Sequence, residues 1–115
     1  MDKPFVIGLV GPCASGKSTI AALLEPNGHH VRQIAQEHSF APDMWKRIAN
    51  PDLLIYLDVS FQATLDRRGP TWWRRKDYDE QQHRLRHARA HAELYFLTDD
   101  MPAESIAAQI EAGLP

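Results

Sequence analysis

An apolar, β-branched run, Phe5-Val6-Ile7-Gly8-Leu9-Val10, passes directly into Gly11-Pro12-Cys13-Ala14-Ser15-Gly16-Lys17-Ser18, and no other stretch constrains the fold as tightly. The second segment satisfies G-x-x-x-x-G-K-[ST] in full. That pattern carries meaning only between a strand and a helix. The run before it has the composition of a strand buried on both faces. After it, Ile20, Leu23 and Leu24 line one side of a helix expected from about Lys17 to Leu24. Gly11 and Gly16 permit backbone geometry and close approach that a side chain would block. The loop amides and the positive end of the helix would then surround phosphate oxygens. Lys17 supplies a point charge to the terminal phosphates, and Ser18 offers a hydroxyl to Mg²⁺. Gly11, Pro12, Cys13, Ala14, Ser15, Gly16, Lys17, Ser18 and Thr19 are therefore the expected contacts of a nucleoside triphosphate or diphosphate. Cys13 contributes its backbone in this reading. A redox-sensing role for its thiol is a lesser one, resting on the lowered thiol pKa near helix N-termini.

The remaining elements alternate. Pro26-Asn27-Gly28 stops the first helix, and His30 to Ala35 reads as a second strand. Asp43 to Ala49 reads as a short helix with Asp43 as its N-cap, and Leu53 to Val59 as the clearest strand after the first. Ser60 caps a helix running through Arg68, and Gly69 to Asp77 reads as a loop. Tyr78 to about Ala92 is an amphipathic helix, Leu94 to Thr98 a fourth strand, and Ala103 to Leu114 a closing helix. Strands alternating with helices imply parallel βαβ units in a three-layer α/β/α sandwich. At 115 residues the chain is expected to form a single domain, 1–115. No apolar run approaches the length of a membrane span, and the N-terminus lacks the basic start of a secretion signal. The single cysteine excludes an internal disulfide framework and makes the cytoplasm the expected compartment.

Charge is unevenly distributed. Eight of the thirteen Lys and Arg residues fall between positions 67 and 89, in a chain of net charge -2. The segment reads either as a solvated helix face or as a surface that meets phosphates.

With the phosphate loop in place, Pro51-Asp52-Leu53-Leu54-Ile55-Tyr56-Leu57-Asp58-Val59-Ser60, continuing to Leu65-Asp66-Arg67-Arg68-Gly69, resembles the thymidylate kinase and deoxynucleoside kinase branch of the P-loop kinases. In that branch a Pro-Asp-led strand ends in Leu-Asp-Val, and the next helix delivers arginines to a lid over the phosphates. The resemblance implies a Mg²⁺-dependent ATP phosphotransferase with a small-molecule phosphate acceptor. It gives Arg67 or Arg68 the role of stabilising charge on the transferring phosphoryl group, which suits a planar guanidinium. Arg75, with Arg74, is a second source of that charge. The alternative for Arg67 and Arg68 is a favourable place near a helix C-terminus. Trp72 and Trp73 read as packing residues first and as base-stacking or partner contacts second. Thr98-Asp99-Asp100-Met101-Pro102 aligns with the loop where such kinases hold the adenine ring, although Asp100 also reads as a helix cap.

The chain also departs from the branch. Related kinases are longer and have five parallel strands, ordered 2-3-1-4-5; here four are expected, ordered 2-1-3-4. Residues 19–30 leave room for one helix and a turn, so the wall that ordinarily binds the acceptor is largely missing. The Asp-Arg pair that follows the third strand in those families is replaced by Gln33-Ile34-Ala35-Gln36-Glu37-His38-Ser39. Glu37 is a candidate base or water-mediated Mg²⁺ partner, Gln36 a candidate for orienting a nucleophile. Asp58, ending an apolar strand, competes with Glu37 as the metal-linked acid, and Ser18 with Asp58 is the expected Mg²⁺ pair; the sequence does not choose between the two acids. His83, His87 and His91 recur every four residues, a spacing that can share a metal, but among arginines they read as a polar face.

A minimal nucleoside or nucleotide kinase is thus the leading expectation, with a homodimer able to complete its site. Its alternative is a regulatory or NTP-hydrolysing module with no small-molecule acceptor. A nucleic-acid acceptor, with residues 67–89 as an electrostatic track, is a third and less favoured reading.

Overall fold

The computed structural model describes residues 3–68 and 71–115, with the Arg68 side chain excluded. Four strands form one sheet: β1 (Val6–Val10), β2 (His30–Gln33), β3 (Leu53–Asp58) and β4 (Leu94–Leu97). Their order is β2-β1-β3-β4. Every pairing is parallel, with Val6 opposite His30, Ile7 opposite Leu53, and Ile55 opposite Leu94. This is the expected architecture and strand order. Parallel neighbours need crossovers, and the helices supply them: α1 (Lys17–Leu24), α2 (Phe61–Arg68), α3 (Arg75–Arg84), α4 (Arg86–His91) and α5 (Ala103–Ala112).

The central strands are buried on both faces, so both read as unbroken apolar runs. Below the sheet, Ile7, Leu9, Ile55, Leu57 and Phe96 pack against Ile20, Ala21 and Leu24 of α1 and Ile106, Ala107 and Ile110 of α5. Above it, Val10, Ile34, Leu54 and Tyr56 meet Trp45, Leu85 and Ala88. Each fully buried leucine or isoleucine contributes roughly 1.5–3 kcal/mol relative to exposure. Gly8 is required by close packing, since a Cβ there would stand 2.7 Å from the Pro51 ring.

Several boundaries differ from expectation, each for a local reason. Helix α3 starts at Arg75, inside the segment read as a loop, because the Asp77 carboxylate accepts the Arg74 amide at 2.9 Å and so caps the first turn. The expected 78–92 helix is two helices, α3 and α4, which meet at Leu85, a residue at φ -92° and ψ -3° whose amide is shared between the Gln81 and Gln82 carbonyls. The turn at Trp45–Ala49 is π-helical, and Asp43 is not its cap: its carbonyl accepts the Lys46 and Arg47 amides, while its carboxylate pairs with Arg47. Ser60 caps α2 as expected, accepting the Ala63 amide. The N-cap of α5 is Pro102, not Asp100. Positions Gly69 and Pro70 of the expected loop lie outside the described residues.

Candidate functional site

The loop between β1 and α1 is shaped by backbone requirements. Gly11 has no room for a side chain: a Cβ would lie 2.1 Å from the Leu57 carbonyl oxygen. Gly16, at φ 103°, and Ala14, at φ 67°, are left-handed, the latter an uncommon state for a residue with a Cβ. The Ser15 amide closes the loop on the Pro12 carbonyl at 3.1 Å. Two distant side chains hold the curve. Gln81 of α3 accepts the Cys13 amide at 2.9 Å, and Arg67 of α2 donates to the Ala14 carbonyl at 2.8 Å. No side chain caps the first turn of α1, so its leading N–H groups face the loop's concavity.

Lys17 folds back over this curve. Its ammonium donates to the Gly11 carbonyl at 2.6 Å and the Pro12 carbonyl at 3.3 Å, and it pairs with Glu37 at 2.8 Å. Glu37 is buried in the 3₁₀ turn Gln36–His38 just after β2. Ser18 donates to the Gln33 side chain at 2.9 Å, which places β2's last residue against the start of α1. Thus one of the two rival acids touches the loop's lysine.

Asp58 sits in a different network. Its Oδ1 accepts the Val59 amide and Gln82, and its Oδ2 accepts Arg89 at 3.3 Å and the Tyr95 hydroxyl. Tyr95 is stacked on Tyr56, their ring centroids 5.9 Å apart. Burial, and then the hydrogen bond to Asp58, pushes the Tyr95 phenol up to about 12. Burial and the Asp58 charge likewise raise Tyr56. Both Asp58 oxygens are occupied by protein donors, so its carboxylate braces β3 against β4 and α4.

The arginines divide unexpectedly. Arg67 does reach the loop, and it also donates to the Thr98 hydroxyl and carbonyl, at 3.0 and 2.6 Å. Arg75 instead pairs with Asp79 and lies over the rings of Phe61 and Tyr78. The Arg68 side chain lies outside the described residues. Sequence reasoning missed Arg84, which donates to the Glu37 carbonyl at 3.3 Å, pairs with Glu80 and lies 4.5 Å from the centre of the Phe40 ring. Nothing but its membership of the basic segment could have singled it out. Gln36, expected beside a nucleophile, is fully buried: it donates to the Ala41 and Arg84 carbonyls and accepts the Trp45 amide.

Three buried side-chain polar atoms have no hydrogen-bond partner among the described residues: Ser15 Oγ, Glu37 Oε1 and Arg84 Nε. Ser15 belongs to the loop, Glu37 pairs with the loop's lysine, and Arg84 donates to the Glu37 carbonyl. Buried polar groups are normally paired, so their grouping marks a place where a polar ligand fits. Next to the loop, a cleft of about 380 Å³ runs between Thr19, Ile20, Arg67, Thr98, Met101 and Ile106. It joins the first turn of α1 to the segment after β4 that sequence alignment had pointed to.

The tryptophans and histidines have structural partners. Trp73 is buried and donates to Thr64 at 2.9 Å, whereas Trp72 is 61% exposed. His87 accepts the Trp45 indole N–H at 3.0 Å, and His91 stacks on His87. His87 and His91 thus fasten the upper layer, whereas His83 lies exposed on α3. No described helix is long and apolar enough to cross a membrane.

No family model and no curated protein matches the chain. Among solved structures, the YorR protein of Bacillus subtilis, crystallised in complex with phosphorylated GDP, superposes with a TM-score of 0.71 at 17% identity, over 93% of this chain and 94% of that one. What the likeness shows is a shared fold; in this chain it is a three-layer α/β/α sandwich of the P-loop type with four parallel strands in the order 2-1-3-4.

Proposed function

We propose that this chain is a Mg-ATP-dependent phosphotransferase, a minimal kinase acting on a nucleoside or nucleotide. The observation that carries this reading is the Lys17–Glu37 pair closed over the loop, with three unpartnered buried polar atoms around it. The phosphorylated nucleotide bound by YorR supports a ligand of the same class. Loop amides and Lys17 hold the phosphates, Lys17 exchanging the Gly11 and Pro12 carbonyls for phosphate oxygens. The cleft lined by Ile20, Met101 and Arg67 receives the base, with the Arg67 guanidinium as a planar edge. Ser18 and Glu37 fit Mg²⁺ better than Ser18 and Asp58, because Glu37 retains an unpartnered oxygen and Asp58 does not. The ion would neutralise charge on the terminal phosphates. Arg84, which donates to the Glu37 carbonyl, takes the place expected of Arg75, which is held by Asp79. Catalysis of this kind rests on positioning and electrostatics.

A second reading, a hydrolytic or regulatory module, is favoured by one observation: only residues 25–29 separate α1 from β2, which leaves no segment for an acceptor wall. A second copy of the chain could supply that wall. The deciding experiment measures ADP release from Mg-ATP with and without pooled nucleosides and nucleoside monophosphates. Panel-dependent release that falls about 100-fold or more in Lys17→Ala supports the kinase. Nucleotide binding without panel-dependent release overturns it in favour of the second reading.

A further inference from the structure

The thiol of Cys13, the imidazole of His38 and the carboxylate of Glu37 converge at the mouth of the loop, and we propose that they form a binding site for a thiophilic divalent cation of the zinc class. Their ligand atoms all lie within 4.8 Å of one another, the one such trio among the described residues. Cys13 Sγ is 3.8 Å from His38 Nε2, and His38 Nε2 is 3.9 Å from Glu37 Oε2. A tetrahedral zinc ion with sulfur, nitrogen and oxygen ligands at ordinary bond lengths holds them about 3.3–3.6 Å apart, so the Cys13–His38 edge is already near the required length and the Glu37 carboxylate closes the rest by turning.

The donor set is chemically selective. A thiolate with an imidazole prefers zinc to magnesium, which takes oxygen ligands and octahedral geometry. Glu37 gives the trio its independent support. It is only 4% exposed, and its Oε1 has no partner, so a carboxylate turn can offer one oxygen to a cation while the other keeps Lys17. His38 is largely exposed and free to swing inward, whereas Gln81 donates to the Cys13 sulfur at 3.1 Å and fixes its position. On binding, the Cys13 thiol loses its proton to solvent, so affinity rises with pH.

The site is distinct from the Mg²⁺ position at Ser18 but shares Glu37 with it. A zinc-class ion therefore draws on the same carboxylate that pairs with Lys17, and Zn²⁺ is expected to oppose Mg²⁺ at this loop.

Cobalt(II) reports the geometry directly. Titrated into the nucleotide-free chain with a thiol-free reductant, Co²⁺ should give visible bands of tetrahedral coordination and a thiolate-to-cobalt charge-transfer band, saturating at one equivalent. Cys13 is the sole cysteine, so that charge-transfer band assigns it without any variant. Cys13→Ser should abolish the band, and His38→Ala should weaken binding about tenfold or more. The His87→Ala/His91→Ala pair should leave both unchanged. Absence of the charge-transfer band overturns the proposal. So does saturation at half an equivalent, or a signal that follows His87 and His91 instead. Because nucleotide is absent from the titration, its failure would leave the proposed phosphotransfer standing.

Discussion

The two sides of the sheet solve the same packing problem with different materials. Below, eleven buried apolar residues from β1, β3, β4, α1 and α5 make a layer with no polar side chain among them. Above, the buried cluster is smaller and is threaded by hydrogen bonds from Trp45 to His87, Tyr56 to Gln82 and Gln36 to three backbone groups. Apolar packing is non-directional and tolerant of small shifts. Hydrogen bonds are directional and fix where groups sit. The contrast teaches that the lower layer holds the chain together while the upper layer aims Glu37, Gln81 and Arg84 at the loop.

The largest effect should come from the lower layer. Leu24→Ala deletes a fully buried side chain between α1 and the sheet, and should cost about 2–5 kcal/mol in urea unfolding. If the division of labour is right, nucleotide affinity of the folded fraction stays near that of the parent. A large loss of affinity at unchanged fold would break the comparison.

Gln36→Ala tests the other side. It orphans the Trp45 amide and takes one donor from the Arg84 carbonyl and one from the Ala41 carbonyl, which keeps the Met44 amide and the Ser39 hydroxyl, a cost of about 1–3 kcal/mol. Here affinity should fall as well, because Gln36 immediately precedes Glu37 in the same turn. Isothermal titration with nucleotide separates the cases: parent-like affinity in this variant would mean that the polar network is merely another way of filling space.

The smallest effect is a pH dependence. The Tyr95 phenol is raised from 10.0 to about 12 in the fold, so the native state keeps a proton that the unfolded chain releases. Its contribution is complete below pH 10 and is lost as pH rises towards 12. Tyr95→Phe should therefore flatten part of the decline in unfolding free energy between those values, leaving the share due to Tyr56. An unchanged alkaline slope would show that the Asp58 network does not hold Tyr95 in its neutral form.

Legibility from sequence followed the range of the interactions. The loop and the central strands were readable because each is written in contiguous residues, a motif or an apolar run; the strand order followed from the resemblance, by taking one strand out of the order 2-3-1-4-5. The start of α3 was misread because Trp72, Trp73 and Pro70 look like a loop, while the Asp77 cap that begins the helix is one carboxylate among many charges. The choice between Glu37 and Asp58 was not readable at all. Both follow strands flanking β1, and which acid meets Lys17 depends on side-chain direction rather than on position along the chain. Gln81 and Arg84 were overlooked for the same reason: they reach Cys13 and Glu37 from a helix whose approach only the folded sheet defines.

The clasp between Gln81 and the Cys13 amide joins residues sixty-eight positions apart. Contacts of that separation form late, after the intervening chain has collapsed, because closing a long segment is entropically costly before its contacts exist. A nascent chain that has emerged only as far as β3 already contains the whole eight-residue motif, yet it lacks the helix that bends it. On the proposed reading the loop takes its final curve only once α3 has docked, so ligand capture there would double as a report that α3 has arrived.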